Sequence, residues 1–144
     1  MAVSPADVTA VLVTRGDQPE MMSRIIDSLI FSHWVIWDNS KRTDRKTAGR
    51  YFALNEFKTY PVVYFQDDDV IVPSETQRRL VEAYMPGVVI TNYSHGDNDG
   101  GYGDLPLVGG GAVLDADLPW KAIERYAEHW PLDEDFDYYC ECSA

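Results

Sequence analysis

Val62-Val63-Tyr64-Phe65-Gln66-Asp67-Asp68-Asp69-Val70-Ile71-Val72 sets three consecutive carboxylates between two apolar runs. Val62 to Phe65 is short, β-branched and aromatic, which predicts a buried strand that the aspartates bring to an end. A solvated charge run would not be flanked by residues that seek a core. In an open parallel sheet, ligands collect beyond the carboxyl ends of the strands, where these acids fall. If extended geometry persists through them, Asp67 and Asp69 point to one side and Asp68 to the other. Adjacent carboxylates repel one another and are costly to bury unpaired, so the triplet calls for a cation or for backbone donors. All-oxygen ligation favours magnesium, manganese or calcium over zinc or copper. A competing reading makes the triplet a turn whose aspartates cap the helix that begins near Ser74.

Upstream, Val8 to Val13 (VTAVLV) is a second apolar, β-branched run, ended by Thr14-Arg15-Gly16-Asp17. Met22, Ile25, Ile26, Leu29 and Ile30 recur at helical spacing behind Pro19 and Glu20, which predicts an amphipathic helix over Pro19 to Ile30. Trp34 to Trp37 reads as another strand, stopped by Asp38-Asn39-Ser40, and Ala48 to Phe57 as a helix. Downstream, Ser74 is expected to cap a helix reaching about Tyr84, closed by Pro86-Gly87, and Val88 to Thr91 reads as the next strand. Alternating strands and helices predict an α/β domain with a mostly parallel, Rossmann-like sheet flanked by helices and joined by right-handed crossovers. Tyr93 to Asp104 (YSHGDNDGGYGD) is nearly devoid of apolar residues and reads as a loop, a candidate lid over a site. Leu105 to Leu114 is apolar but carries Gly109, Gly110 and Gly111, which suggests backbone packed against something bulky. Pro119 to Trp130 reads as a last helix, and Leu132 to Ala144 as an acidic, aromatic end.

At 144 residues and 45% apolar content, the chain suits one domain over residues 1–144. Met1 to Asp7 lacks the features of a signal peptide, and no stretch approaches the roughly 20 apolar residues needed to cross a bilayer. A cytoplasmic protein is the expectation. Its net charge of −12 repels nucleic-acid backbone and anionic membrane. Basic residues gather at Lys41, Arg42, Arg45, Lys46 and Arg50, as a solvated face or as partners for a small polyanion such as a diphosphate. Cys140 and Cys142 are too close for a stabilising disulfide and too few for a zinc site, so they read as reduced or buried thiols. His33 is expected against a strand and His129 on a helix, which leaves His95 in the loop as the histidine able to visit a site.

The aspartate triplet after an apolar strand resembles the DxD element of GT-A fold glycosyltransferases, of the family 2-like or exostosin-like kind. Other segments fall in the corresponding order over most of the chain. Thr14-Arg15-Gly16-Asp17 resembles the nucleotide-holding loop after the first strand, and Asp38-Asn39-Ser40 the acid after the second. Gly49-Arg50-Tyr51 resembles the basic residue that precedes the DxD strand. Val108-Gly109-Gly110-Gly111-Ala112 is similar to the Gly-rich strand on the acceptor side, and Asp133-Glu134-Asp135 to the later Glu-Asp motif. The resemblance implies a nucleotide-sugar donor, UDP- or GDP-linked, held through Mn2+ or Mg2+. Asp69 would bind the metal directly, while Asp67 or Asp68 would meet the ribose or a metal-bound water, with Asp67 the second candidate ligand. Thr14, Arg15, Gly16, Asp38, Asn39 and Arg50 would surround the base, ribose and diphosphate. An inverting reaction needs a carboxylate to deprotonate the acceptor hydroxyl. Asp135 is the first candidate for that base, Glu134 the second and Glu141 the third.

Members of this family usually continue past the Glu-Asp motif, whereas only Phe136 to Ala144 follows it here, which leaves three readings: a minimal form, a truncated product or a subunit completed by a partner. Gly-Arg-Tyr followed by Gln-Asp-Asp-Asp-Val also looks like virus-associated glycosyltransferases, some of which modify hydroxymethylated DNA bases. That likeness would make the acceptor a modified base and the compartment the host cytoplasm. Three further readings compete. A calcium-binding interaction module would use Asp97, Asp99 and Asp104, although the segment lacks the bidentate glutamate and flanking helices of an EF-hand. A metal-dependent nuclease or phosphatase would use the same three aspartates. A catalytically dead domain would retain donor binding alone.

Overall fold

Seven consecutive buried residues, Val8–Thr14, form β1 at the interior of a sheet that, among the described residues, has five strands in the order β2 (His33–Asp38), β1, β3 (Val62–Gln66), β5 (Ala112–Asp115), β4 (Ile90–Thr91). The structure, a computed structural model, describes residues 2–92 and 108–129. β2 (His33–Asp38) and β3 (Val62–Gln66) run parallel to β1 on either side, with Thr14 opposite Asp38 and Leu12 opposite Gln66. Parallel pairing requires crossovers, supplied by α1 (Pro19–Ser28) and α2 (Gly49–Glu56). The carboxyl ends of all three strands therefore open on one edge, the edge that carries the aspartates.

Side chains alternate across the sheet, so each strand serves two cores. Val11, Val13, Val63, Phe65 and Leu114 face one way, where Tyr51 of α2 and Ile123 of α4 (Leu118–Ala127) pack on them. Ala10, Tyr64 and Val113 face the other way, under Leu80 and Val81 of α3 (Ser74–Ala83), while Leu12 meets Met22 and Ile25 of α1. Burial on both faces explains why β1 and β3 are nearly continuous apolar runs.

The sheet is mixed rather than mostly parallel. β5 (Ala112–Asp115) inserts between β3 and the two-residue β4 (Ile90–Thr91) and runs antiparallel to both. Val88 and Val89, expected in a strand, lie outside it and are exposed. The departure begins at Val108–Gly110, a single tight turn in place of the expected strand. This turn sits beside the aspartates, with Asp67 N–H donating to Gly109 O at 2.9 Å, and sends the following residues back down the edge of β3.

Ser74 is the first residue of α3 and not its cap, which is Pro73; the Ser74 hydroxyl donates instead to Ser28 O at 3.2 Å. The buried Gln77 provides the firmer tie. Its amide nitrogen donates to Val72 O and Ser28 O, and its amide oxygen accepts from Ile30 N–H. One side chain thus satisfies backbone groups at the end of α1 and on the segment leading out of the aspartates.

Candidate functional site

The three aspartates do not alternate as an extended strand would have them. β3 ends at Gln66, and Asp68 and Asp69 form a turn, so all three carboxylates line a single cleft of about 320 Å³. Gln66 fixes that turn. Its amide nitrogen donates to Val70 O at 2.7 Å across the triplet, and its oxygen accepts from the Tyr64 hydroxyl at 2.6 Å. Burial pushes the Tyr64 phenol well above its ordinary value, so it stays a donor. A polar amide closing an otherwise apolar strand is the sequence signal for this role.

Each carboxylate has its own surroundings. Asp68 is only 8% exposed, and its Oδ2 accepts the Thr14 hydroxyl at 2.8 Å and Arg15 N–H at 3.2 Å. Asp67 accepts from the Arg50 guanidinium through Oδ1 at 2.5 Å, and is otherwise pressed against Gly109. A Cβ at position 109 would lie 2.1 Å from Asp67 Oδ2, so any larger residue there would force the carboxylate or the turn to move. Asp69 is exposed on the turn.

The chain beyond β1 is built around Thr14. Its hydroxyl accepts Gly16 N–H at 3.0 Å while donating to Asp68. Gly16 has φ +84° and lies where a Cβ would be 2.2 Å from Ser40 Oγ, so the loops after β1 and β2 touch at a residue that must be glycine. Asp38 accepts the Ser40 hydroxyl and the Ser40 N–H through Oδ1. The Ser40 hydroxyl, with lesser help from Ser40 N–H and Lys41, holds the Asp38 carboxyl below its usual value against the opposing effect of burial. Thr14, Gly16, Asp38, Ser40 and Lys41 border a second cleft of about 420 Å³, whose apolar wall is Met22, Ile26 and Ile36. The two clefts share Thr14.

The other expected donor-binding residues divide by position. Arg15 lines the aspartate cleft. Asn39 lines it too, but its side chain works on the protein: Oδ1 accepts from Trp37 Nε1 and Arg45 N–H, and Nδ2 donates to Lys46 O. Arg50 is only 1% exposed and lies beneath the cleft as the counter-ion of Asp67, braced by Nε donating to Thr47 O at 3.0 Å. Of the remaining basic residues, Arg42 stacks over Trp37 and Phe57 and Arg45 over Phe52, so aromatic faces take up both guanidinium groups. Lys41 borders the larger cleft and Lys46 the aspartate cleft.

Gly109, Gly110 and Gly111 form the turn into β5, with Gly110 O and Gly111 O accepting from Asn92. His33 opens β2, its Nδ1 2.7 Å from Thr9 Oγ1 and its ring against Tyr60, at the edge of the sheet opposite the clefts. His129 lies just past α4. The candidate bases Asp135, Glu134 and Glu141 lie outside the described residues, as do His95, Cys140, Cys142 and the calcium-module acids Asp97, Asp99 and Asp104.

Among the described residues, no group of three or more histidine, cysteine, aspartate or glutamate side chains converges as a self-sufficient metal site. Asp67 accepts from Arg50, Asp68 accepts from Thr14 and Arg15, and Asp69 stands at the surface. This donor set fits a hard divalent cation that draws the rest of its coordination from water and ligand phosphates, as magnesium characteristically does. It does not fit a closed protein cage. Among the described residues, no helix is long and apolar enough to cross a membrane. Comparison with known proteins gives no match to any family model, characterised protein or solved structure.

Proposed function

We propose that this chain is a metal-dependent glycosyltransferase of the GT-A kind, which holds a UDP- or GDP-linked sugar across the two clefts and transfers the sugar to an acceptor hydroxyl. The observation that carries the reading is the meeting of two unlike clefts at Thr14, one with an apolar wall beside Asp27, Asp38 and Lys41, the other with four carboxylates, Asp44 and the triplet, and two basic residues, Arg15 and Lys46. A nucleotide-sugar has the same polarity along its length. Its flat base and ribose suit Met22, Ile26 and Asp38, and its diphosphate suits the end where a cation can be held.

Asp69, with Asp67, would hold Mn2+ or Mg2+. A bound ion there supplies the charge that neutralises the two phosphates and eases departure of the nucleotide. Around it, Asp68 fixes the loop after β1 through Thr14 and Arg15 N–H, and Arg50 holds the Asp67 carboxylate in place. In an inverting reaction the acceptor oxygen bonds to the anomeric carbon as the bond from that carbon to the β-phosphate oxygen breaks. The electron pair leaves with the nucleoside diphosphate and the acceptor proton passes to a carboxylate. Asp135, or else Glu134, is assigned that proton by resemblance. Acceptor identity stays open within this reading, a modified DNA base included, and a cytoplasmic setting is part of the proposal.

The products test it. Incubated with Mn2+ and nucleotide-sugars, a glycosyltransferase releases UDP or GDP, slowly by hydrolysis when no acceptor is present. A phosphoesterase using the same aspartates cuts between the phosphates and yields a nucleoside monophosphate and a sugar phosphate. Monophosphate as the product would overturn the transferase reading in favour of the phosphoesterase.

A further inference from the structure

Among the five clustered basic residues, Lys46 alone borders the aspartate cleft. Arg42 and Arg45 lie over aromatic rings, Arg50 is buried beneath Asp67, and Lys41 borders the other cleft. Lys46 is also the one non-glycine residue among the described ones with positive φ, at 54°. Such a backbone is unfavourable for a side chain with a Cβ and persists only where its surroundings impose it. Asn39 imposes it here, since Nδ2 donates to Lys46 O at 3.0 Å while Oδ1 accepts from Arg45 N–H at 2.8 Å. The Lys46 ammonium is 2.9 Å from Asp44 Oδ2, and Lys46 N–H donates to Asp44 Oδ1 at 3.0 Å. Asp44 borders the same cleft, and the side chains of Lys46 and Asp44 are 43% and 53% exposed.

An ammonium and a carboxylate so exposed are bound to each other only weakly, by a factor of roughly two to five in affinity. A diphosphate entering the cleft offers Lys46 a stronger, doubly charged partner. We infer that Lys46 grips the phosphate groups of the ligand, while Arg15, the other cation on this lining, pairs with Asp17, and that Asp44 competes with the ligand for Lys46. The inference rests on the proposed reading of the cleft as a diphosphate site and adds to it a named grip with a built-in competitor. Asp44 then lowers affinity for phosphate although it lies within the site, and Asn39 holds the lysine backbone so that the ammonium changes partner without the loop moving.

The test is a double-mutant cycle read by calorimetry with inorganic diphosphate, UDP and GDP, each with Mn2+. Lys46→Met is expected to weaken diphosphate binding about ten-fold or more, the scale of a lost charge-assisted hydrogen bond, and Lys46→Arg to restore most of it. Asp44→Asn keeps an acceptor for Lys46 N–H while removing the charge, so it is expected to tighten binding about two- to five-fold. That gain is expected to vanish in the Asp44→Asn, Lys46→Met double variant, because it acts through the lysine. A gain that persists without Lys46 would mean that Asp44 acts only by general repulsion and would overturn the inference. So would UDP or GDP binding that Lys46→Met leaves unchanged, although the proposed function would then stand. Lys46-dependent binding of inorganic diphosphate with no binding of UDP or GDP would uphold the inference and overturn the nucleotide-sugar reading. No binding of any of the three would overturn both. Unchanged melting curves for the variants separate a lost grip from a lost fold.

Discussion

The Thr14 hydroxyl donates to the Asp68 carboxylate at 2.8 Å, joining residues 54 positions apart and locking the end of β1 to the turn that follows β3. Asp68 also takes Arg15 N–H, so one buried carboxylate organises both the loop after the first strand and the triplet after the third. Thr14→Val removes the hydroxyl at nearly constant volume and leaves Asp68 short of a donor. The expected cost is about 1–3 kcal/mol in urea unfolding, with Thr14→Ser retaining most of the stability. Equal stability in Thr14→Val and the parent would show that the bond does not hold the edge together.

Gly109→Ala tests the fit between the turn and Asp67. The added methyl would meet the carboxylate at 2.1 Å, so Asp67 must swing away from Arg50 or the turn must lift off β3. Manganese-dependent nucleotide affinity is expected to fall about ten-fold, an amount equivalent to roughly 1.4 kcal/mol. Gly87→Ala is the comparison, because its added methyl meets nothing within 4 Å, leaving only the penalty of its positive φ of 76°. Equal nucleotide affinity in Gly109→Ala and Gly87→Ala would remove the Gly109–Asp67 contact from the account.

Asp69→Ala separates function from fold. Asp69 is exposed, so its removal is expected to change stability by less than about 0.5 kcal/mol. Metal-dependent nucleotide binding should nevertheless be lost. A variant that binds nucleotide with undiminished manganese dependence would sink the metal assignment.

Asp38 gives the site a pH dependence with a definite sign. Its hydrogen bonds, the Ser40 hydroxyl first, lower its pKa from the ordinary 3.8, so the folded state favours the carboxylate. The resulting stability is present in full above the unfolded value and is lost as pH falls through the lower folded value. Solvent reaches this pair, so the loss as pH falls through and below 3.8 should be under about 1 kcal/mol and absent in Asp38→Asn. Carboxyl chemical shifts followed by NMR check it directly. A midpoint for Asp38 at or above 3.8 would contradict the Ser40 contact.

What could be read from the sequence was set by local pattern. Val8 to Val13 and Val62 to Phe65 could bury their side chains only as interior strands, and the aspartates had to fall at a carboxyl end. The return of β5 beside β3 was not legible, because Gly109 and Gly111 signal a close approach without saying to what. In the site, carboxylates advertised themselves by their cost, whereas Gln66 showed only as a polar residue closing an apolar strand, and Gln77 acts through backbone groups that no pattern reveals. Arg42 and Arg45 read either as a solvated face or as phosphate partners, because a sequence shows charge but not what it packs against. The aromatic faces of Trp37, Phe52 and Phe57 that hold them are assembled only by the fold.

Calorimetric titration with UDP and with GDP, each with Mn2+ and again with chelator, tests the central claim most directly. The account predicts that at least one nucleotide binds with Mn2+, that chelation abolishes the binding, and that Asp69→Ala does the same. Binding that is indifferent to the metal, or no binding of either nucleotide to the folded chain, would contradict it.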